Sequence, residues 1–179
     1  CRLRFGQGPG RGGRLVGEMF DGDGLVASAK ANGIAYQGRR VLLAGAGGSA
    51  RAVGFALVAG SVGALGITNR TMSRAEGLVR DLRSHYPNVD VRAVRPDATG
   101  YDLVVNSTSL GLHAGDTTPI DSATLSASTS LIDTIAVRET ELMQAAKAKG
   151  CHVIGGRPMA ELQFDAQVAF FGAPPQIPV

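Results

Sequence analysis

The sequence predicts an α/β protein built on a doubly wound parallel sheet. Short apolar or β-branched runs alternate with helix-forming segments after residue 40, a glycine-rich turn follows the first run, and 44% of the 179 residues are apolar. Parallel strands need a long crossover connection, and a helix between strands supplies it. A chain of this length and composition can bury a substantial core.

Six runs are predicted strands, at residues 41–44, 64–68, 89–94, 103–106, 130–133 and 152–154. Four predicted helices occupy residues 50–58, 73–85, 139–149 and the amphipathic segment 159–171. Pro87 and Gly150 follow two of these helices and are typical stop signals. A proline-rich tail occupies residues 174–179.

The first 40 residues predict less regular structure. Residues 1–16 hold two extended segments around a glycine-rich loop, which is typical of a hairpin. Residues 17–24 predict a second turn, and residues 25–32 predict a helix that ends at Gly33.

Charge and cysteine content exclude several classes of protein. The net charge of +3 has no continuous basic stripe, so we expect no nucleic-acid partner. The apolar runs are too short to cross a membrane. Cys1 and Cys151 form neither a disulfide framework nor a zinc motif, which indicates a reducing cytoplasm. The three histidines, His85, His113 and His152, lack the spaced partners of a metal site, and none is predicted.

The turn after the first strand carries the strongest functional signal. Glycines and small residues break the apolar run abruptly, at Gly45, Ala46, Gly47, Gly48, Ser49 and Ala50. Such a turn lets backbone N–H groups approach a pyrophosphate at the start of a helix. The alternative is an ordinary strand-to-helix turn.

The end of the second strand indicates which dinucleotide would bind. An acidic residue there favours NAD, whereas this chain has Asn69, Arg70, Thr71 and Arg74. Two guanidinium groups can hold a 2′-phosphate, so we predict NADP. The alternative is a helix start capped by Thr71 or Ser73 with solvated arginines.

Separated motifs together resemble the shikimate and quinate dehydrogenase family. They are the glycine loop, Asn69-Arg70-Thr71, the segment Asn106-Ser107-Thr108-Ser109-Leu110-Gly111, and Met159 with Gln163. The resemblance covers residues 14–172 and corresponds to the second part of a typical member. It implies a Rossmann-type domain at residues 37–158, a remnant of an α/β substrate domain at residues 1–36, and a C-terminal helix and tail at 159–179 that return to it.

The resemblance also implies roles for individual residues. It places Asn106, Ser107, Thr108, Ile135, Gly156 and Met159 at the cofactor, Asp21 in catalysis, and Asp21 with Gln163 at the substrate. Family members pair this Asp with a Lys, but Lys30, Lys147 and Lys149 do not match that position. Met19 and Phe20 stand where the family has Asn and Thr, and Ala136 replaces a Tyr.

We therefore expect an NADP-dependent oxidoreductase that interconverts 3-dehydroshikimate and shikimate, or a related hydroxy acid, in aromatic amino acid biosynthesis. The alternative is an NADP-binding module without catalysis, acting as a sensor or subunit. With little of the substrate domain present, an apolar patch at Leu25, Leu162, Phe164 and Phe170 or Phe171 is predicted to be uncovered. Such a patch predicts self-association, in the simplest case a homodimer.

Overall fold

The computed structural model describes residues 2–6 and 14–171. Their elements in chain order are β1 (Arg2–Gly6), β2 (Arg14–Glu18), α1 (Asp21–Ala31), β3 (Arg40–Ala44), α2 (Gly48–Ala59), β4 (Ala64–Thr68), α3 (Met72–His85), β5 (Asp90–Ala93), β6 (Leu103–Asn106), β7 (Ser130–Asp133), α4 (Glu141–Ala148), β8 (His152–Ile154), α5 (Arg157–Leu162) and α6 (Phe164–Phe170). A 3-10 turn, Ser122–Thr124, lies between β6 and β7.

Six strands form one parallel sheet in the order β5-β4-β3-β6-β7-β8. The order reverses between β3 and β6, which is the strand order of the Rossmann fold. The register aligns Ala44 with Thr68 on one side and with Asn106 on the other. The carboxyl ends of β3, β4 and β6 therefore meet at one edge, and the predicted fold class is confirmed.

The side chains of β3 alternate between the two faces of the sheet and belong to two apolar layers. Val41 and Leu43 pack on the side of α1, α2 and α3, whereas Leu42 and Ala44 pack on the side of α4. All four are buried, because a parallel sheet is covered on both faces. This explains why the strands read as continuous apolar runs.

The predicted turn at residues 17–24 is mostly wrong, because Gly17 and Glu18 belong to β2 and residues 21–24 to α1. Asp21 begins α1, and two glycines lie inside this helix. A Cβ on Gly22 would lie 2.5 Å from the backbone oxygen of Ala52 in α2, and one on Gly24 would lie 2.8 Å from that of Met159 in α5. The glycines thus allow α1 to pass closely between two helices. Leu25, predicted to be partly uncovered, is fully buried in this contact.

The predicted single helix at residues 159–171 is divided at Gln163. This residue keeps right-handed backbone angles (φ −84°, ψ −11°), but its flatter ψ resembles the turn at a helix end. Likewise, α4 begins at Glu141 instead of residue 139, because the Thr140 hydroxyl accepts a hydrogen bond from the Met143 N–H at 3.1 Å and caps the helix there.

The N-terminal hairpin strands pair antiparallel, with Arg2 opposite Glu18. Cys1, the predicted loop at residues 7–13 and the tail after residue 171 lie outside the described residues. Within the described ranges, no helix combines the length and apolar character needed to span a membrane.

Replacing Gly22 with Ala should destabilise the protein by about 1–3 kcal/mol, because the new methyl group overlaps the backbone of α2. Gly77→Ala in α3 is the matched control: its nearest neighbour would be the end of the Arg80 side chain at 3.7 Å. That change should stabilise the protein by about 0.5–1 kcal/mol. Urea unfolding of both variants tests the contact, and two changes of the same sign would contradict it.

Candidate nucleotide-binding site

A cavity of about 640 Å³ opens at the carboxyl edge of the sheet, where the strand order reverses. Its wall is formed by residues from four places in the chain. They are Ala44, Gly45 and Gly47 at and just after the end of β3; Thr68, Asn69, Arg70, Thr71, Met72 and Arg74 at and after the end of β4; Pro96; and Ser107, Thr108, Ser109, Leu110, Thr117, Thr118 and Pro119 after β6. Ligands of doubly wound sheets bind in this crevice.

The glycine turn forms the floor of the cavity. Gly45 has φ +121°, and a Cβ there would lie 2.6 Å from the backbone oxygen of Ser107. Only glycine fits this position. Gly47 is the N-cap of α2 and offers no side-chain cap, so the first N–H groups of the helix remain available for an anion.

Four other predicted residues of this turn do not line the cavity: Ala46, Gly48, Ser49 and Ala50. Ala50 in particular points into the core and is fully buried. Its small side chain matters for packing beneath the turn, since a Cβ on Gly45 would also lie 3.3 Å from the Ala50 methyl.

Two arginines occupy the wall beyond β4. Arg70 and Arg74 are exposed, and no hydrogen bond or ion pair holds either guanidinium within residues 2–6 and 14–171. The wall contains no carboxylate. Asn69 donates to the backbone oxygen of Thr71 at 2.9 Å, and this bond shapes the turn that presents both arginines. Thr71 is the N-cap of α3, but its hydroxyl makes no capping hydrogen bond.

The turn after β6 forms the opposite wall and is organised by Asn106. This side chain is fully buried. Its amide donates to the backbone oxygen of Leu110 (3.2 Å) and to Asp133 (3.1 Å), while its oxygen accepts from the Thr108 N–H (3.0 Å) and hydroxyl (2.8 Å). All its hydrogen-bonding positions are used. Asn106 therefore shapes the wall and is not part of it.

The remaining predicted residues cluster around α1 and α5. Half-buried Asp21 starts α1, and a Cβ on Gly24 would lie 3.1 Å from the Cβ of Gln163 and 3.3 Å from the Cγ of Met159. Ile135 is buried, and its backbone oxygen accepts a hydrogen bond from the Gly156 N–H at 3.0 Å. None of these five predicted residues lines the cavity.

Comparison with known proteins identifies the family. The model of the family described as shikimate / quinate 5-dehydrogenase matches residues 26–141. The chain belongs to this family. The matched range contains both the glycine turn and the arginine-bearing turn described above.

Comparison with individual relatives shows how much of their length this chain covers. The shikimate dehydrogenase (NADP(+)) of Rubrobacter xylanophilus is 34% identical over 171 residues, which are 92% of this chain and 60% of that protein. Quinate dehydrogenase from Corynebacterium glutamicum, solved in complex with NAD, is 30% identical with a TM-score of 0.80. The match covers 92% of this chain and 61% of that protein.

Shikimate 5-dehydrogenase from Thermus thermophilus, solved with NADP(H) and shikimate, is 31% identical with a TM-score of 0.77, over 91% of this chain and 60% of that one. The chain thus spans about 60% of the length of these three relatives.

Behind the turn after β6, the carboxyl group of Asp133 connects three elements. This side chain is fully buried at the end of β7. It accepts hydrogen bonds from the Asn106 amide (3.1 Å), the Ile135 N–H (3.0 Å) and the Thr140 hydroxyl (2.7 Å). Burial raises the pKa of Asp133, and the three donors oppose that shift.

The loop between the β6 turn and Thr117 is fixed by charged side chains. Arg138 donates to the backbone oxygens of Gly111 (2.8 Å) and His113 (3.3 Å), and it pairs with both carboxylate oxygens of Glu141 at 3.0 Å. Asp116 accepts from the N–H groups of Gly111 and His113. The hydrogen bonds from Arg138 lower the pKa of Glu141 to about 2.

Sequence reasoning assigned no site role to part of the cavity wall, namely Ala44, Thr68, Met72, Pro96, Ser109, Leu110 and Thr117–Pro119. Met72 adjoins the arginine turn and could have been inferred from its position. Pro96 and residues 117–119 carry no local signal, because their place in the wall depends on the path of long loops.

The pH dependence of stability should distinguish Asp133 from Glu141. The native pKa of Asp133 is raised above its ordinary value of 3.8. The protonated carboxyl group therefore contributes fully to the free energy of unfolding below pH 3.8, and this contribution is lost as pH rises through the native pKa. Relative to Asp133→Asn, which cannot ionise, the wild-type chain should lose stability as pH rises above about 4.

Glu141→Gln provides the contrast. With a native pKa of about 2 against an ordinary 4.5, the contribution of Glu141 is present above pH 4.5 and is lost as pH falls toward 2. Urea unfolding at several pH values measures both differences. A wild-type advantage over Asp133→Asn that grows with pH would refute the burial argument.

Proposed function

We propose that this chain is the NADP-binding portion of an NADP-dependent oxidoreductase of the shikimate dehydrogenase type. The observation that carries the proposal is the pair of guanidinium groups of Arg70 and Arg74, which have no partner among the described residues and lie in a wall without a carboxylate. A 2′-phosphate would supply the missing negative charge. The relatives from Rubrobacter and Thermus are named or solved with NADP, which supports the same choice.

The described residues fit a dinucleotide. The cavity volume lies within the usual range of cofactor sites, roughly 300–1,000 Å³. Gly45 and the uncapped start of α2 provide the close backbone approach and the N–H donors that a pyrophosphate needs. The turn after β6 would border the dinucleotide on the β6 side of the crevice, with Ser107 at the end nearest the glycine turn and Thr108 toward the nicotinamide half.

NADP, when bound, supplies the hydride acceptor or donor. The chain's own residues then position the reactants: Ile135, Gly156 and Met159 would border the nicotinamide, and Gln163 would hydrogen-bond the substrate. The Asp21 carboxylate would hold the proton of the reacting hydroxyl group. We propose 3-dehydroshikimate and shikimate, or a related hydroxy acid, as the substrate pair, in aromatic amino acid biosynthesis in the cytoplasm.

A specific observation keeps an NADP-binding module without catalysis as the second candidate. The family resemblance implies a Lys partner for Asp21, and within the described residues no hydrogen bond or ion pair joins a lysine to Asp21. Lys147 is instead paired with Glu139 at 2.6 Å. A spectrophotometric assay of NADPH formation with shikimate tests the module, since turnover by this chain would exclude it.

Calorimetric titration with NADP and NAD tests the cofactor. We expect the wild-type chain to prefer NADP, and Arg70→Gln or Arg74→Gln to weaken NADP binding by about 10-fold or more, because each removes hydrogen bonds to a charged group. NAD binding should be unchanged in both variants.

Arg80→Gln is the matched control, because Arg80 is exposed on the same helix but outside the cavity wall. It should leave the affinity for NADP unaltered. Equal binding of NADP and NAD by the wild-type chain would contradict the proposed role of the arginine pair.

We also propose that the C-terminal helices form a self-association surface. Leu162, Phe164 and Phe171 are 45%, 54% and 51% exposed. The ring of Phe170 contacts the rings of Phe20 and Phe171 edge to face, with centroid distances of 5.7 and 5.6 Å. Exposed aromatic groups of this kind favour association. A homodimer is the simplest assembly.

Sedimentation velocity at increasing concentration tests this surface. We expect the wild-type chain to associate and Phe164→Glu to remain monomeric, because a buried charge would oppose the contact. Val137→Glu introduces the same change at an exposed residue outside these helices and should associate like wild type. A monomeric wild-type chain at high concentration would contradict the proposal.

A further inference from the structure

Ser107 has a buried hydroxyl group without a partner at the cavity wall. Only 9% of the residue is exposed, and its Oγ atom makes no hydrogen bond within the described part of the chain. Its backbone is held firmly, because the Ser107 N–H donates to the backbone oxygen of Ala44 at 2.8 Å. Ser107 therefore keeps its place at the cavity wall beside β3, with its hydroxyl group unpaired within the described residues.

The side chains on either side of Ser107 are fully paired. Asn106 uses all its hydrogen-bonding positions, and the Thr108 hydroxyl both donates to Asn106 and accepts from the Leu110 N–H at 3.1 Å. Buried polar atoms are nearly always paired, because an unpaired hydroxyl keeps the full cost of desolvation. Of these three consecutive polar residues, only Ser107 retains a free donor for a ligand.

The position of Ser107 indicates which part of a ligand it would meet. It directly adjoins Gly45, whose positive φ and absent side chain bring the two chain segments together between β3 and β6. In this fold the pyrophosphate crosses at the glycine turn, between the adenosine side at β4 and the nicotinamide side at β6. A serine hydroxyl beside that crossing can rotate to donate to a phosphate oxygen.

We infer that the Ser107 hydroxyl is a cofactor-binding group that donates a hydrogen bond to the pyrophosphate of the dinucleotide. The inference rests on the proposed NADP site and adds a contact separate from the Arg70 and Arg74 pair. The Ser107 hydroxyl group should therefore affect the protein in opposite ways with and without a ligand. Without a ligand the unpaired hydroxyl destabilises the fold, and with the ligand it stabilises the complex through a charge-assisted hydrogen bond.

Ser107→Ala tests this role through stability and binding together. Without ligand, the variant should be at least as stable in urea as wild type, because it removes an unpaired buried hydroxyl. Its affinity for NADP by calorimetry should fall about 10-fold. A residue with a merely structural role would not change stability and affinity in opposite directions.

Shortened ligands locate the contact. Adenosine 2′-monophosphate has neither phosphate of the pyrophosphate and should bind Ser107→Ala and wild type equally, whereas adenosine 2′,5′-bisphosphate keeps the 5′-phosphate. The 2′-phosphate of ADP-ribose keeps the pyrophosphate but lacks nicotinamide, and it should lose about the same 10-fold as NADP. A loss confined to NADP would overturn the pyrophosphate assignment.

Ser28→Ala is the matched control. Ser28 also carries an unpartnered buried hydroxyl, but it lies in α1 outside the cavity wall. The variant should change stability in the same direction as Ser107→Ala and leave the affinity for every ligand unchanged. Equal losses of affinity in both serine variants would show a general effect of packing and overturn the inference.

The inference and the proposed function fail in different ways. If wild type prefers NADP and Ser107→Ala binds it equally well, the Ser107 contact is wrong and the NADP site stands. If wild type binds neither NADP nor adenosine 2′,5′-bisphosphate, the NADP site itself is wrong, and the Ser107 contact falls with it.

Discussion

The buried carboxyl group of Asp133 is the interaction on which the β6 side of the site depends. Its three donors come from the end of β6, from the chain just after β7 and from the N-cap of α4. Two of the donor residues also act elsewhere, since Asn106 shapes the turn of the cavity wall and Thr140 caps α4. Loss of the carboxyl group would therefore leave buried donors unpaired in several elements at once.

The same helix start also fixes the loop that continues the wall. Gly111 has φ +101°, and a Cβ there would lie 2.6 Å from the Cγ2 of Thr140. Arg138 and Glu141 hold the following loop by backbone hydrogen bonds. The N-terminal end of α4 thus supports the wall from behind, although no residue of α4 lines the cavity.

Close backbone approach is the second constraint. Gly45 brings the floor of the cavity against Ser107, while Gly22 and Gly24 bring α1 against α2 and α5. These contacts connect the nucleotide side to the cluster around Asp21, Met159 and Gln163. The described residues accordingly form a crevice at the carboxyl ends of β3, β4 and β6, and the cluster around Asp21, Met159 and Gln163 lies outside the wall of that crevice.

Local patterns in the sequence determined the order of strands and helices, the glycine turn and the arginine-bearing turn, because each depends on neighbouring residues. Tertiary structure alone decided that the Asp21 segment is helical, that Asn106 lies behind the wall, and that Thr117–Pro119 lie in it. Asp133 showed no signal beyond its place at a strand end. Its donors lie 27, 2 and 7 residues away, and only the packing of β6, β7 and α4 brings them to one carboxyl group.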